Sequence, residues 1–187
     1  MNIIIFGPPG AGKGTQAKIL VKKLNNFQVS TGDMLRDEIN NNTEIGKKII
    51  NFMNDGKFVD DEIVNQLLEK IIFDLNKKNK LIFDGYPRTL GQAKNLEILL
   101  KKSDQKIDYI FFLNVKKDSI IKRIEKRKIL EKRSDDDANT ILKRYDTYME
   151  ITKPVLDYYS KNLNFHEVDG SMEINDISLK IQQILTL

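Results

Sequence analysis

The sequence predicts an α/β protein, a doubly wound, parallel, five-stranded sheet with helices on both faces, forming a single domain over residues 1–187. Three observations carry this. Short apolar runs at Ile3 to Phe6, Phe27 to Ser30, Leu81 to Asp84, Tyr109 to Val115 and Phe165 to Asp169 are rich in Ile, Phe and Val and bounded by polar or glycine residues, as buried strands are. Between them lie stretches with helical spacing, and strands separated by helices imply a parallel sheet covered on both sides. The glycine-rich stretch "GPPGAGKGT", Gly7 to Thr15, stands where the first strand hands over to the first helix.

The elements follow in order. After the first strand and its loop, Ala17, Leu20, Val21 and Leu24 continue with helical period. Ile63, Val64, Leu67, Leu68, Ile71, Ile72 and Leu75 mark one helix face, and Ile174, Ile177, Ile181, Ile184 and Leu185 mark another. Pro154 falls inside a helical pattern from about Asp137 to Tyr159, which predicts a kink or break near Thr152. No repeat or low-complexity linker interrupts the chain.

Composition bounds the function classes. With 40% hydrophobic and 31% charged residues, the chain can bury one sizeable core. It has no cysteine, so neither disulfides nor a thiolate metal site contribute. The start "MNIIIFG" lacks the basic flank and apolar length of a signal peptide, and no segment approaches about 18 uncharged apolar residues. A cytoplasmic protein with no membrane partner is expected. The net charge of +4 raises the question of nucleic acid, but lysines and acids are interspersed as on an ordinary solvated surface, so no nucleic-acid face is expected.

"GPPGAGKGT" has the context of a phosphate-binding loop. Gly7, Gly10, Gly12 and Gly14 would let backbone N–H groups turn inward around a polyphosphate, the helix N-terminus would add partial positive charge, and Lys13 would reach the terminal phosphates. One departure stands out: the general pattern has Ser or Thr directly after the lysine, whereas Gly14 here precedes Thr15. Farther on, in "DGYPRT", Asp84 closes a buried strand, a position from which a carboxylate can hold magnesium directly or through water. A turn former or helix cap is the plainer role for such an aspartate. Arg88 follows a proline, which would present its guanidinium to phosphate as a rigid fork. His166, the only histidine, lies in the last strand pattern and is read as structural.

The ordered set "GPPGAGKGT" at 7, "STGDMLR" at 30, "GKFVDDE" at 56, "DGYPRTLGQA" at 84, "RIEKR" at 123, "RSDDD" at 133, "KRYDTY" at 143, "TKPVLDYY" at 152 and "VDGSM" at 168 resembles the adenylate kinases of the nucleoside monophosphate kinase family over essentially the whole chain. The resemblance implies reversible, magnesium-dependent phosphoryl transfer between ATP and AMP, giving two ADP, by a monomer. It also implies two mobile parts, a monophosphate-binding segment at 30–59 and a lid at 123–133. The lid is of the short form, since only "KILEK" separates Arg127 from Arg133. By resemblance, Gly10, Ala11, Gly12, Lys13, Gly14 and Thr15 hold ATP phosphates, Arg123 and Arg127 cover the ATP side, and the backbone at Met172 meets the ATP adenine. Thr31, Arg36, Lys57, Phe58, Val59, Gly85, Tyr86, Pro87, Arg88 and Gln92 hold AMP. Arg133 and Arg144 contact the phosphates in flight, and Asp84 holds magnesium, through water. The plainer account of the lid-side arginines is a solvated basic helix face. In "GKFVDDE", Asp60 stands where the family often has proline, and an aspartate there can serve as an N-cap.

The chemistry explains so many cations. Phosphoryl transfer offers the protein little covalent work, so catalysis is positioning plus electrostatic stabilisation. ATP and AMP bring roughly six negative charges, which Lys13, Arg36, Arg88, Arg123, Arg127, Arg133, Arg144 and magnesium together more than match. With no cysteine and one histidine placed far along the chain, no zinc site is expected in the lid. "RSDDD" and "TKPVLDYY" also resemble the UMP/CMP kinases, but Thr31 and Gln92 follow the adenylate pattern where the pyrimidine enzymes tend to carry alanine and asparagine. A nucleotide-dependent binding switch would want an Asn-Lys-x-Asp guanine reader, and the nearest segment, "NVKKD" at Asn114 to Asp118, has the wrong spacing.

Overall fold

Every side chain of β1 (Ile3–Phe6) is buried, because this strand lies at the centre of the sheet with a layer of helices on each side. The computed structural model describes residues 1–131 and 138–187; the side chains of 125–131, 138, 139 and 141 also fall outside the described set. Strands β3 (Leu81–Asp84) and β4 (Tyr109–Asn114) flank β1, and β2 (Phe27–Ser30) and β5 (Phe165–Asp169) form the edges, giving the order β2-β3-β1-β4-β5. All pairings are parallel, with Ile3 opposite Ile82 on one side and Tyr109 on the other.

The two-residue period of the strands divides the core. Ile4, Phe6, Phe83 and Ile110 meet α2 (Thr31–Asn40), α3 (Glu44–Asn54), α4 (Asp61–Ile72), α5 (Leu90–Lys102) and α8 (Lys153–Tyr159). Ile3, Ile5, Ile82, Phe111 and Leu113 meet α1 (Lys13–Leu24), α6 (Lys117–Glu131) and α9 (Ile174–Ile184). Each fully buried Ile or Phe contributes roughly 1.5–3 kcal/mol of transfer free energy, so a one-residue slip, which would exchange the two layers, is strongly disfavoured. His166 packs against the rings of Tyr109 and Phe111, 6.1 and 5.7 Å between centroids, in keeping with a structural role.

Short polar side chains set where helices begin. Ser30, Thr43, Asp60 and Thr89 accept from the backbone N–H of Asp33, Gly46, Glu62 and Gln92, capping α2, α3, α4 and α5. Asp60 thus takes the capping role expected of it. Near Pro154 the helix does not break: α7 (Ala138–Thr147) passes through a π-helical turn, Tyr148–Thr152, into α8, with Pro154 in that helix's first turn where its missing N–H costs nothing.

Some expectations need correction. Leu75 does not extend the α4 face; the helix ends at Ile72, and Leu75 begins a 3₁₀ turn capped by Asp74, with 83% of its surface exposed. Ile174 opens α9 but is exposed, so the buried stripe there starts at Ile177. The fourth strand ends at Asn114, one residue before Val115, which is still buried.

At the amino-terminal ends of the strands, Asn2 is fully buried in a neutral knot. Its side-chain amide donates to Gln105 Oε1 (3.2 Å) and the Lys106 carbonyl (2.9 Å), and its Oδ1 accepts from Leu81 N–H (3.0 Å). Gln105 in turn accepts from Asn79 N–H and donates to the Ile72 carbonyl and the Ser103 hydroxyl. The opposite, carboxyl-terminal ends open into a pocket, as expected where strand order reverses in such sheets.

Candidate active site

The phosphate loop is shaped by backbone that only glycine adopts easily. Gly12, the N-cap of α1, has φ 94°, and Gly10 has φ 78° with so little room that a Cβ would lie 2.8 Å from Ile124 of α6. Lys13 folds back over the loop, its Nζ donating to the carbonyls of Gly7 (2.8 Å) and Pro8 (3.0 Å). The first turn of α1 carries no acidic residue. An ammonium, a helix N-terminus and a curl of backbone therefore converge where an anion would sit.

Gly14 also answers to a contact that its sequence context does not reveal. It lies inside α1 without a left-handed φ, and a Cβ on it would stand 3.1 Å from Oδ2 of Asp84 and 3.9 Å from Nε2 of Gln28. The side chain that usually follows the loop lysine would press on the carboxylate at the end of β3, which would have to give way slightly to admit it. Gln28 on β2 donates to Asp84 Oδ2 at 3.1 Å and holds that carboxylate at the pocket wall. The sequence reading missed Gln28, and only the strand pairing, which sets Gln28 opposite Ile82, brings it there.

The other arm of the pocket is built on the turn after β3. Gly85, with φ 72°, offers its carbonyl to both Thr31 Oγ1 (3.0 Å) and Arg88 Nε (2.8 Å), and the Arg88 guanidinium lies 5.2 Å from the Phe58 ring centroid. Arg36 pairs with Asp33 at 2.5 Å one turn along α2. Lys57 pairs with Asp55, and Val59 is buried. Gln92, 2% exposed, accepts from Arg88 N–H through Oε1 (2.7 Å) and donates from Nε2 to Asp61 Oδ1 (2.6 Å). Asp61 also accepts from Thr89 Oγ1 (2.7 Å) and is a second residue that the sequence reading did not single out.

Arg123 links the loop after β1 to the loop after β5, donating to the Ala11 carbonyl (3.5 Å) and the Ser171 carbonyl (3.4 Å). Arg144 packs against Gly56, whose Cβ would fall 3.2 Å from Arg144 Cγ. Together with Thr15, Met172 and Pro87 these residues line one pocket of about 630 Å³, large enough for substantial ligands. Tyr86 does not line it: its ring is buried, its hydroxyl donates to Asn65 Oδ1 and the Gln92 carbonyl, and burial pushes the phenol far above its ordinary range. Only the backbone of Tyr86 could serve a ligand. The Arg127 side chain and Arg133 lie outside the described residues.

Seven basic side chains and three acidic ones line the described pocket, an excess of four that equals the net charge of the whole chain, so the rest of the sequence is balanced. The positive character thus belongs to the pocket and points to a polyanionic small molecule. Among the described residues no helix is long and apolar enough to cross a membrane, and there is no group of three or more His, Cys, Asp or Glu placed to hold a metal alone.

Comparison with known proteins agrees with this geometry. The family model "Adenylate kinase" matches residues 5–164. The chain is 49% identical to an adenylate kinase from Pelagibacter ubique, covering 99% of each chain. It is 44% identical to one from Mycoplasma mycoides subsp. mycoides over 90% of this chain and 91% of that one. A third, from Porphyromonas gingivalis, is 37% identical over 99% of this chain and 95% of its own. With an anion loop, a facing arginine-rich arm and a match across nearly the full length, the chain belongs to the adenylate kinase family of nucleoside monophosphate kinases.

Proposed function

We propose that this protein transfers a phosphoryl group reversibly from ATP to AMP, giving two ADP, and that the pocket between Lys13 and Arg88 is where it does so. The observation that carries the reading is the pocket's two unlike arms: a glycine loop with a lysine on one side, and the Gly85–Arg88 turn with Thr31, Arg36 and Gln92 on the other. One arm suits a polyphosphate and the other a nucleoside monophosphate.

In this reading Gly10, Ala11, Gly12, Lys13, Gly14 and Thr15 cradle the ATP phosphates. Arg88 and Arg36 grip the AMP phosphate, Arg127 covers the ATP side with Arg123, and Arg123, Arg133 and Arg144 neutralise charge on the transferring oxygens. Lys57, Phe58 and Val59 line the AMP side, and the backbone at Met172 meets the ATP adenine. Magnesium fits the residues present: Asp84 offers a carboxylate oriented by Gln28 beside the phosphate loop, and a hard cation needs one or two carboxylates when phosphates supply its other ligands. When bound, the ion would draw charge from the phosphate oxygens. Segments 30–59 and 123–133 are proposed to close over the two substrates and exclude water.

A coupled assay for ADP formed from ATP plus AMP tests the activity. At fixed MgATP, AMP is expected to exceed CMP and UMP by more than about tenfold in kcat/KM. Equal efficiency with CMP or UMP would move the chain to the pyrimidine branch of the family.

A further inference from the structure

Resting on the reading of Gln92 as the residue that meets the acceptor base, we infer that Asp61 is a positioning residue that locks the Gln92 amide in one orientation and so selects amino-edged over keto-edged bases. The orientation is dictated by partner chemistry. The Arg88 backbone N–H can only donate, so the Gln92 atom 2.7 Å from it must be the oxygen. The Asp61 carboxylate can only accept, so the Gln92 atom 2.6 Å from it must be the nitrogen. A flipped amide would face oxygen to carboxylate and N–H to N–H.

Asp61 is itself held firmly. Its other oxygen accepts from Thr89, the cap of α5, and it is the first residue of α4, where a carboxylate suits the helix dipole. The absence of a side chain at Gly91 makes room for it, since a Cβ there would lie 3.2 Å from Asp61 Oδ2. One carboxylate thus ties the starts of two helices to the amide between them.

An amide has two donor and two acceptor positions, and here one of each is spent inside the protein. The remaining N–H and lone pair have a fixed handed order. That order matches adenine, whose N6 amino group donates and whose N1 accepts. It mismatches hypoxanthine, of nearly the same shape, which presents an accepting O6 and a donating N1–H. A free amide would serve both by flipping, but this one cannot. The lock does not separate adenine from cytosine, whose amino group and N3 have the same order, so the AMP preference over CMP must come from elsewhere in the site.

The test compares AMP with inosine monophosphate (IMP) as acceptors at saturating MgATP. Asp61→Asn keeps the shape but can donate or accept, which removes one of the two constraints against the flip and leaves only the Arg88 N–H. The AMP-to-IMP ratio of kcat/KM should fall by about fivefold or more, mainly through KM for the acceptor, with KM for MgATP unchanged. Thr89→Val removes a helix cap and one of the bonds that hold Asp61 but leaves its carboxylate facing Gln92, so it should lower Tm while the ratio falls by clearly less than in Asp61→Asn. If Asp61→Asn does not fold, Asp61→Ser carries the same expectation. A ratio within about twofold of the parent in the folded Asp61 variant, or an equal fall in Thr89→Val, overturns the lock. Gln92→Ala separates this from the underlying reading: a ratio unchanged in that variant shows that Gln92 does not meet the base at all.

Discussion

The two ends of the sheet solve opposite problems with similar polar residues. At the amino-terminal end Asn2 and Gln105 bond to carbonyls, amides and each other, in a knot whose side-chain members are neutral apart from Asp108, which accepts from Asn2 N–H. At the carboxyl-terminal end seven basic side chains surround a cavity with only three acids. A neutral knot gains by being complete, because each bond it closes avoids a buried unsatisfied group. A cluster in which basic groups outnumber acids stays under-compensated until an anion arrives, so part of its cost is carried by the rest of the fold. The contrast implies that stability and activity can be damaged separately.

The largest separation is expected at the phosphate end. Lys13→Ala and Arg88→Ala should each lower turnover by about a hundredfold or more with unchanged circular dichroism. Near-parental turnover in either folded variant would remove that residue from the reaction. Asn2→Ala should do the reverse. It orphans the buried Leu81 N–H and should cost about 2–4 kcal/mol in urea denaturation, with kcat/KM unchanged where the variant is folded. A loss of activity at full folding would show that the ends are coupled.

Gly14→Ala is expected to be milder, because the new methyl group presses on Asp84 rather than removing it. Turnover should fall by about tenfold and the magnesium concentration for half-maximal rate should rise, while helix α1 gains propensity. An unchanged magnesium dependence would dissociate Asp84 from the metal. The smallest effect concerns acid. The Ser171 hydroxyl and backbone N–H hold the Asp169 carboxyl below its ordinary value. A carboxyl depressed by folding contributes stability present above its unfolded pKa and lost as pH falls through the folded one. Melting curves of the parent and Ser171→Ala should therefore differ slightly above about pH 4 and converge in stronger acid. A gap that persists to low pH would assign the difference to packing instead.

Much of this was legible in the chain itself, for local reasons. The strands announce themselves as apolar runs because a parallel sheet is buried on both faces, and Gly10 and Gly12 stand where their left-handed backbone requires them. What could not be read depends on contacts distant in sequence. Gln28 meets Asp84 only through strand pairing, and Asp61 meets Gln92 only because α4 and α5 start side by side. Leu75 kept the helical spacing of its neighbours, but Asp74 captured the backbone first and turned it out of α4. A second contact of Gly14 went unread for the same reason: Asp84, its neighbour in space, lies seventy positions along the chain, not beside it.

The π-helical turn at Tyr148–Thr152 has a consequence for how this chain can change. It accommodates one more residue than an α-helical turn would, between α7, which sets Arg144 at the pocket, and α8, which buries Val155, Leu156 and Tyr159 in the core. In an α-helix each residue advances the face by about 100°. Because the π turn takes up its extra residue within one turn, removing that residue would restore regular geometry with both faces in phase, whereas a deletion elsewhere in α7 or α8 would rotate one face by that angle. After such a deletion either the arginine would swing away from the pocket or the three apolar side chains would leave the core. The turn is a point of slack between two halves of one rod, and the length of that rod is free to vary only in steps that return both faces to their places.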